Sequence, residues 1–210
     1  MTDETSPQLS AWRGDFGAAY RQRNPVEETA VVARARMWSR ILRATDAQPP
    51  QEVLEAGANV GINLHALKRV CPARLMAVEP NDAARNVLAE SGVLDRSDVH
   101  EGTLQSLPLG DAAADLVFTS GVLIHVAPDD LPAAFSEIVR VARRYIVLVE
   151  YFSDQPEEIE YRGQKGLLFR RDFGGALLDA HPSLTCLDYG FFWRRLTGLG
   201  NLTWWLFRKP

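Results

Sequence analysis

The run Val53-Leu54-Glu55-Ala56-Gly57-Ala58-Asn59-Val60-Gly61-Ile62-Asn63-Leu64 constrains this chain more than any other. Its first four residues are apolar apart from one acid, as in a buried strand. Gly57 and Gly61 permit a sharp turn and a close backbone approach that larger residues resist. Ile62-Asn63-Leu64 then opens a helix. Strand, tight glycine turn and helix, in that order, form the unit from which parallel sheets are wound.

The rest of the chain repeats that alternation. Strand one covers residues 52–56, and its helix places Val60, Leu64, Leu67 and Cys71 at core spacing, with His65, Lys68 and Arg69 outside. Strand two, 75–79, ends at Glu79; Asn81 or Asp82 caps a helix that Gly92 closes. Strand three is short, about 98–101, and strand four covers 115–119. Asp129-Asp130 caps a helix with Leu131, Phe135, Ile138, Val139 and Ala142 on one face. Strand five, 145–149, is continuously apolar and therefore buried on both sides. Residues 152–168 are polar and glycine-containing, a loop or insertion over one end of the sheet. A helix is expected over 171–180, then strands over 184–193 and 202–207, joined through Gly198 and Gly200. The expected fold is α/β and Rossmann-like: a seven-stranded, mostly parallel sheet ending in an antiparallel hairpin.

Upstream, Asn24-Pro25 suits a helix start, with Asn as cap and Pro at the first helical position. Ala30, Met37, Trp38, Ile41 and Leu42 form one face, the arginines at 34, 36, 40 and 43 lie largely elsewhere, and Pro49-Pro50 stops the helix. Residues 1–10 read as a flexible tail. Residues 11–210 read as a single domain whose first part, about 11–45, is a helical cover.

At 210 residues with 46% hydrophobic and 24% charged side chains, the chain suits one well-buried soluble domain. A net charge of -4 leaves no electrostatic footprint for nucleic acid. No apolar run is long enough to span a bilayer, and the polar, acidic start is unlike a signal peptide. Cys71 and Cys186 have no metal-ligand neighbours, so no metal is expected and both thiols read as reduced. A cytoplasmic protein, monomer or homodimer, fits these features.

In an open parallel sheet, ligands bind beyond the carboxyl ends of the strands, at the point where strand order reverses. The glycine spacing here is G-x-x-x-G with Asn59 inside; the middle glycine that makes room for a dinucleotide pyrophosphate is missing. A nicotinamide-dependent oxidoreductase is thereby disfavoured. Glu55 can accept hydrogen bonds from a cationic ligand tail, and Glu79, roughly 20 residues beyond the loop, from a ribose diol. S-adenosylmethionine (SAM) has both groups and no phosphates. Gly57, Asn59, Gly61 and Pro80 belong to the same cofactor set, Thr103 and Leu104 would border the adenine, and Ser120-Gly121 would approach the methionine part. Methyl transfer asks little of side chains beyond holding the acceptor in line.

His125, after strand four, titrates near neutrality and could act as base or orient an acceptor; a packing histidine is the equally weighted reading. Glu150-Tyr151 closes strand five, and Tyr161-Arg162-Gly163 lies in the following loop. Arg162 can grip a carboxylate or phosphate bidentately, with Tyr151 and Tyr161 adding hydrogen bonds and aromatic walls; a solvated surface loop is the plain alternative. The small-molecule acceptor is thus expected to be anionic, methylated on O or N. A SAM-binding regulatory partner without activity of its own is the reading from another class.

The chain resembles class I SAM-dependent methyltransferases and, more narrowly, the pseudaminic acid biosynthesis-associated methylases. The resemblance rests on Trp12-x-Gly14-x-Phe16-Gly17-x-x-Tyr20 with Arg23-Asn24, on the glycine loop, and on 115–126. It continues through Glu150-Tyr151, Tyr161-Arg162-Gly163, Leu168-Phe169-Arg170-Arg171-Asp172-Phe173 and Asp188-Tyr189-Gly190-Phe191. It implies that Tyr20 and Arg23 close over the cofactor, with Arg23 on its carboxylate. Gln164, where the family pattern tends to have histidine, and Gly200-Asn201, where it tends to have acids, depart from it. A sugar-acid or natural-product pathway acceptor is what the resemblance implies.

Overall fold

A computed structural model of the protein describes residues 7–14, 17 and 26–210. The helices are α1 (Pro7–Arg13), α2 (Glu28–Leu42), α3 (Ile62–Val70), α4 (Asp82–Glu90), α5 (Leu131–Val141), α6 (Phe173–Ala180) and the single turn α7 (Arg194–Thr197). The principal strands are β1 (Glu52–Ala56), β2 (Arg74–Val78), β3 (Val99–His100), β4 (Ala114–Ser120), β5 (Ala142–Glu150), β8 (Thr185–Phe192) and β9 (Leu202–Arg208). They form one sheet in the order β3-β2-β1-β4-β5-β9-β8. Pairing is parallel from β3 to β5 and antiparallel at β5–β9 and β9–β8. The expected seven-stranded sheet with an antiparallel end is the observed one.

Strand alternation divides the core between two faces. Val53, Leu75, Leu116, Phe118, Val147 and Trp204 face α2 and α3, with the Trp38 ring 4.4 Å from that of Phe118. Leu54, Met76, Val117, Ile146, Leu148 and Phe207 face α5 and α6. Each such fully buried aliphatic or aromatic side chain contributes about 1.5–3 kcal/mol. With both faces covered, the parallel strands must be apolar throughout, which is why β5 shows no alternation in its sequence.

Several boundaries differ from expectation. Residues 7–10 of the expected tail are helical, within α1. Helix α2 starts at Glu28, with Glu27 extended as its cap, and Asn24-Pro25 lie outside the described residues. Its buried face is Val31, Met37, Trp38 and Ile41, one residue displaced from Ala30. Its end comes at Leu42, where a single 3-10 turn takes over before the prolines. Residues 152–168 contain more than loop: β6 (Glu157–Glu158) pairs antiparallel with β7 (Phe169–Arg170) as a separate ribbon.

Candidate active site

Strand order reverses between β1 and β4, and a cavity of about 350 Å³ opens at their carboxyl ends. Glu55, Gly57, Asn59, Glu79, Pro80, Thr103, Leu104, Ser120 and His125 all line it. Of the expected cofactor set, only Gly61 stands behind the wall, and Tyr20 and Arg23 lie outside the described residues. Gly61 turns the chain into α3 at φ 77°, packed against Leu88 where a side chain would not fit.

The loop after β1 is tied to the end of β2. The Gly57 and Ala58 amides both donate to the Val78 carbonyl, at 2.8 and 3.1 Å. Gly57 takes φ +85°, and a Cβ there would stand 2.7 Å from the Val122 side chain. Asn59 is also left-handed, at φ 49°, a conformation asparagine tolerates better than most residues. Its amide donates to Glu79 Oε2 at 2.7 Å, and the Asn81 amide donates to Oε1 at 2.8 Å. Glu79 is thus fixed by two backbone donors while facing the cavity, and burial raises its carboxyl above the ordinary range.

Glu55 is held differently. Asn63 Nδ2, from the first turn of α3, donates to its Oε1 at 2.7 Å, while Oε2 has no hydrogen-bond partner among the described residues. Full burial pushes this carboxyl up to about 8, against the opposing pull of Asn63 and of the Arg34 charge. A buried carboxyl with one unsatisfied oxygen, in a residue that lines a cavity, fits a ligand that brings a cationic donor. The donor set fits SAM and offers a pyrophosphate no glycine cradle.

The loop after β4 rests on a third buried acid. Glu150 Oε1 accepts from Thr119 Oγ1 at 2.9 Å and from the Val122 and Leu123 amides at 3.2 Å each. Burial raises Glu150 to about 7. It supports from below the short helical turn, Leu123–His125, that carries His125 into the cavity wall. In the sequence Glu150 marks only a strand end; its positioning role needs the β4–β5 register to become visible.

His125 Nδ1 lies 2.6 Å from the Leu167 carbonyl, which can only accept, so Nδ1 carries the proton and Nε2 keeps the lone pair. Burial lowers the imidazole to about 4, which keeps it neutral at physiological pH. Its ring centroid is 4.5 Å from that of Trp12 and 5.6 Å from that of Tyr161. The fold therefore brings His125 and Tyr161 together, with Trp12 of α1 completing an aromatic wall.

Tyr151 and Arg162 are placed elsewhere. Tyr151 lines a second hollow with Phe152, Arg170 and Asn201. Arg162 is exposed at the tip of a two-residue turn, at φ 55° with Gly163 at φ 76°. Tyr161 and Gln164 close that turn by reciprocal backbone hydrogen bonds of 2.8 and 3.1 Å. Trp12, Arg34 and Asn63 also line the cavity, and sequence periodicity does not select them. Among the described residues there is no group of His, Cys, Asp and Glu that could hold a metal ion. Nor is any helix among them long and apolar enough to cross a membrane.

Residues 54–148, from β1 into β5, match the methyltransferase domain family. No curated protein matches the chain in sequence. Among solved structures it is similar to the Burkholderia thailandensis 1,6-didemethyltoxoflavin-N1-methyltransferase, crystallised with 1,6-didemethyltoxoflavin and S-adenosylhomocysteine. Identity is 23%, coverage 95% of this chain and 88% of that one, and the TM-score 0.69. A Leishmania major SAM-dependent methyltransferase gives 18% identity, 97% and 87% coverage and a TM-score of 0.68. Magnesium protoporphyrin IX methyltransferase from Synechocystis PCC 6803, with bound S-adenosylhomocysteine, gives 15%, 96% and 98%, and 0.67. These likenesses establish the fold of this chain. The domain match ends before Tyr151, Tyr161 and Arg162.

Proposed function

We propose that this protein binds SAM in the cavity between β1 and β4 and transfers its methyl group to oxygen or nitrogen of a small, anionic metabolite. The observation that carries the reading is the pair of buried acids, Glu55 and Glu79, at the ends of adjacent parallel strands, with the Gly57-Asn59 turn between them. Glu55 would accept from the cationic amino group and Glu79 from the ribose hydroxyls. Thr103 and Leu104 would border the adenine, and Arg34 brings positive charge to the wall for the carboxylate.

When bound, SAM supplies a methyl group already activated by its sulfonium, so the protein's share of the work is alignment and desolvation. His125, neutral and with Nε2 unprotonated, would accept a hydrogen bond from the nucleophilic hydroxyl or amine and orient its lone pair. A base whose conjugate acid sits near 4 removes a proton weakly, so orientation outweighs proton abstraction in this role. Trp12 and Tyr161 would shield that group from water. The resemblance in the 161–163 and 168–173 blocks supports a sugar-acid or natural-product pathway acceptor, in a cytoplasmic setting.

Calorimetric titration with SAM and with S-adenosylhomocysteine tests the cofactor; absence of binding by both ends this reading. Screening acceptors under SAM, with S-adenosylhomocysteine release and product mass as readouts, tests turnover.

A further inference from the structure

A second hollow, of about 490 Å³, opens beside the carboxyl end of β5. Ser120 pairs with Val149 in the β4–β5 register, so the strand end that leads to Tyr151 and Phe152 of this hollow adjoins the strand end that carries Ser120 into the first cavity. Arg170, Arg194, Tyr151, Asn201 and Thr203 supply its polar lining, and no acid is among the residues that face it.

The donors in this wall are unspent. Among the described residues neither Arg170 nor Arg194 makes an ion pair, and Arg170 Nε is buried with no hydrogen-bond partner. Glu157, opposite Arg170 in the small ribbon, is exposed and does not pair with it. Asp172 is engaged in capping α6 through the Gly175 amide at 2.8 Å. The Arg170 guanidinium lies 5.5 Å from the Tyr151 ring centroid, which holds its plane in place. Asn201 Oδ1 accepts from the Arg194 amide at 3.0 Å, leaving its Nδ2 as a further donor. Gly200 keeps the Tyr151 hydroxyl clear: a Cβ there would stand 2.6 Å from it. Two guanidinium groups with phenol and amide donors, free of any competing carboxylate, make an oxyanion receptor. Exposed Phe152 and Phe191 at its margin offer apolar contact to the body of the same ligand.

We propose that Arg170 and Arg194, with Tyr151 and Asn201, bind the carboxylate or phosphate of the methyl acceptor in this second hollow, beside the cofactor cavity. The inference rests on the methyltransferase reading above and gives its anionic acceptor a location that Arg162, outside both cavities, does not.

The test uses the full chain, isotopically labelled, titrated separately with inorganic phosphate and with acetate while the arginine Nε–H resonances are followed. Saturable shifts at Arg170 and Arg194 support the site, and the anion that binds more tightly identifies the group. Arg170→Gln and Arg194→Gln should each weaken that binding about tenfold or more, with Arg170→Lys intermediate because charge survives without the fork. SAM titration of every variant reports on the fold and on the cofactor site independently. If SAM binds and neither anion gives a saturable shift, or if the Gln variants bind the anion as the native chain does, the acceptor site is wrong. If SAM itself fails to bind, the methyltransferase reading falls instead, whatever the anions do.

Discussion

The backbone amide of Asn59 donates to the Glu79 carboxylate at 2.7 Å, so the turn after β1 is clamped by an acid from the end of β2. The same acid receives the Asn81 amide, and its two oxygens thereby set both loops that border the cavity. Glu79→Ala should cost about 1–3 kcal/mol of stability by leaving two amides unsatisfied, and should weaken SAM binding by more than tenfold. Chemical denaturation and calorimetry read the two effects separately. Retention of native SAM affinity in this variant would remove Glu79 from the cofactor site.

Gly57→Ala should be as damaging to cofactor binding as loss of an acid. The left-handed backbone and the nearby Val122 side chain both oppose a Cβ, at a cost of about 1–3 kcal/mol. Gly57→Ala combined with Val122→Ala relieves the clash and leaves the backbone strain, so it should recover part of the loss in thermal melts.

Ionisation of Glu55 opposes folding. Its carboxyl is raised to about 8 in the folded chain, so its contribution is complete below the ordinary carboxylate range and is lost as pH rises through about 8. Glu150, raised to about 7, acts in the same direction. His125, lowered to about 4, acts oppositely: its contribution is present above its ordinary value and is lost as pH falls through about 4. Melting temperature should therefore decline from about pH 5 to about pH 8, and Glu55→Gln should flatten that decline without abolishing it.

Binding a cationic amine beside Glu55 should draw its carboxyl into the ionised form. At pH 7 up to about one proton should leave on SAM binding, visible as a dependence of binding enthalpy on the buffer's ionisation enthalpy. In Glu55→Gln that dependence should vanish; an unchanged dependence would assign the proton to another group.

His125→Ala should lower turnover about a hundredfold with SAM affinity nearly unchanged. Because the imidazole is neutral throughout the working range, the native pH–rate profile should lack an inflection near the ordinary histidine value. An inflection there that disappears in the variant would make His125 a general base instead.

The residues that line the cavity at the ends of β1, β2 and β4 were legible in the sequence because that wall is written in local terms. Glycines at forced turns, acids at strand ends and continuously apolar strands each announce themselves within a dozen residues, as Gly57, Glu79 and β5 do. Asn63 was not legible. It sits on the inner face of α3, where periodicity assigns an apolar side chain, because buried Glu55 needs a donor from the facing helix. Trp12 reaches the cavity through packing on His125, which lies more than a hundred residues away in the chain, and no local pattern encodes that. Arg162 looked like a grip because of its guanidinium, yet Arg162-Gly163 is also a two-residue turn with both residues at positive φ. Such a turn projects its tip away from the body of the protein. The arginines that face a hollow, Arg170 on β7 and Arg194 on α7, stand far apart in the chain, and no local pattern joins them.

The β5–β9 pairing also dictates an order of events during synthesis. Strand β9 lies between β5 and β8 in the sheet yet follows both in the chain, so β5 gains its second neighbour only after β9 is made. Until β9 arrives, the apolar stretch 145–149 of β5 presents a row of unmet amides and carbonyls, the kind of edge that recruits other chains. Pairing with β9 therefore does more than extend the sheet: it removes from β5 the edge along which a partly made chain would associate with its neighbours.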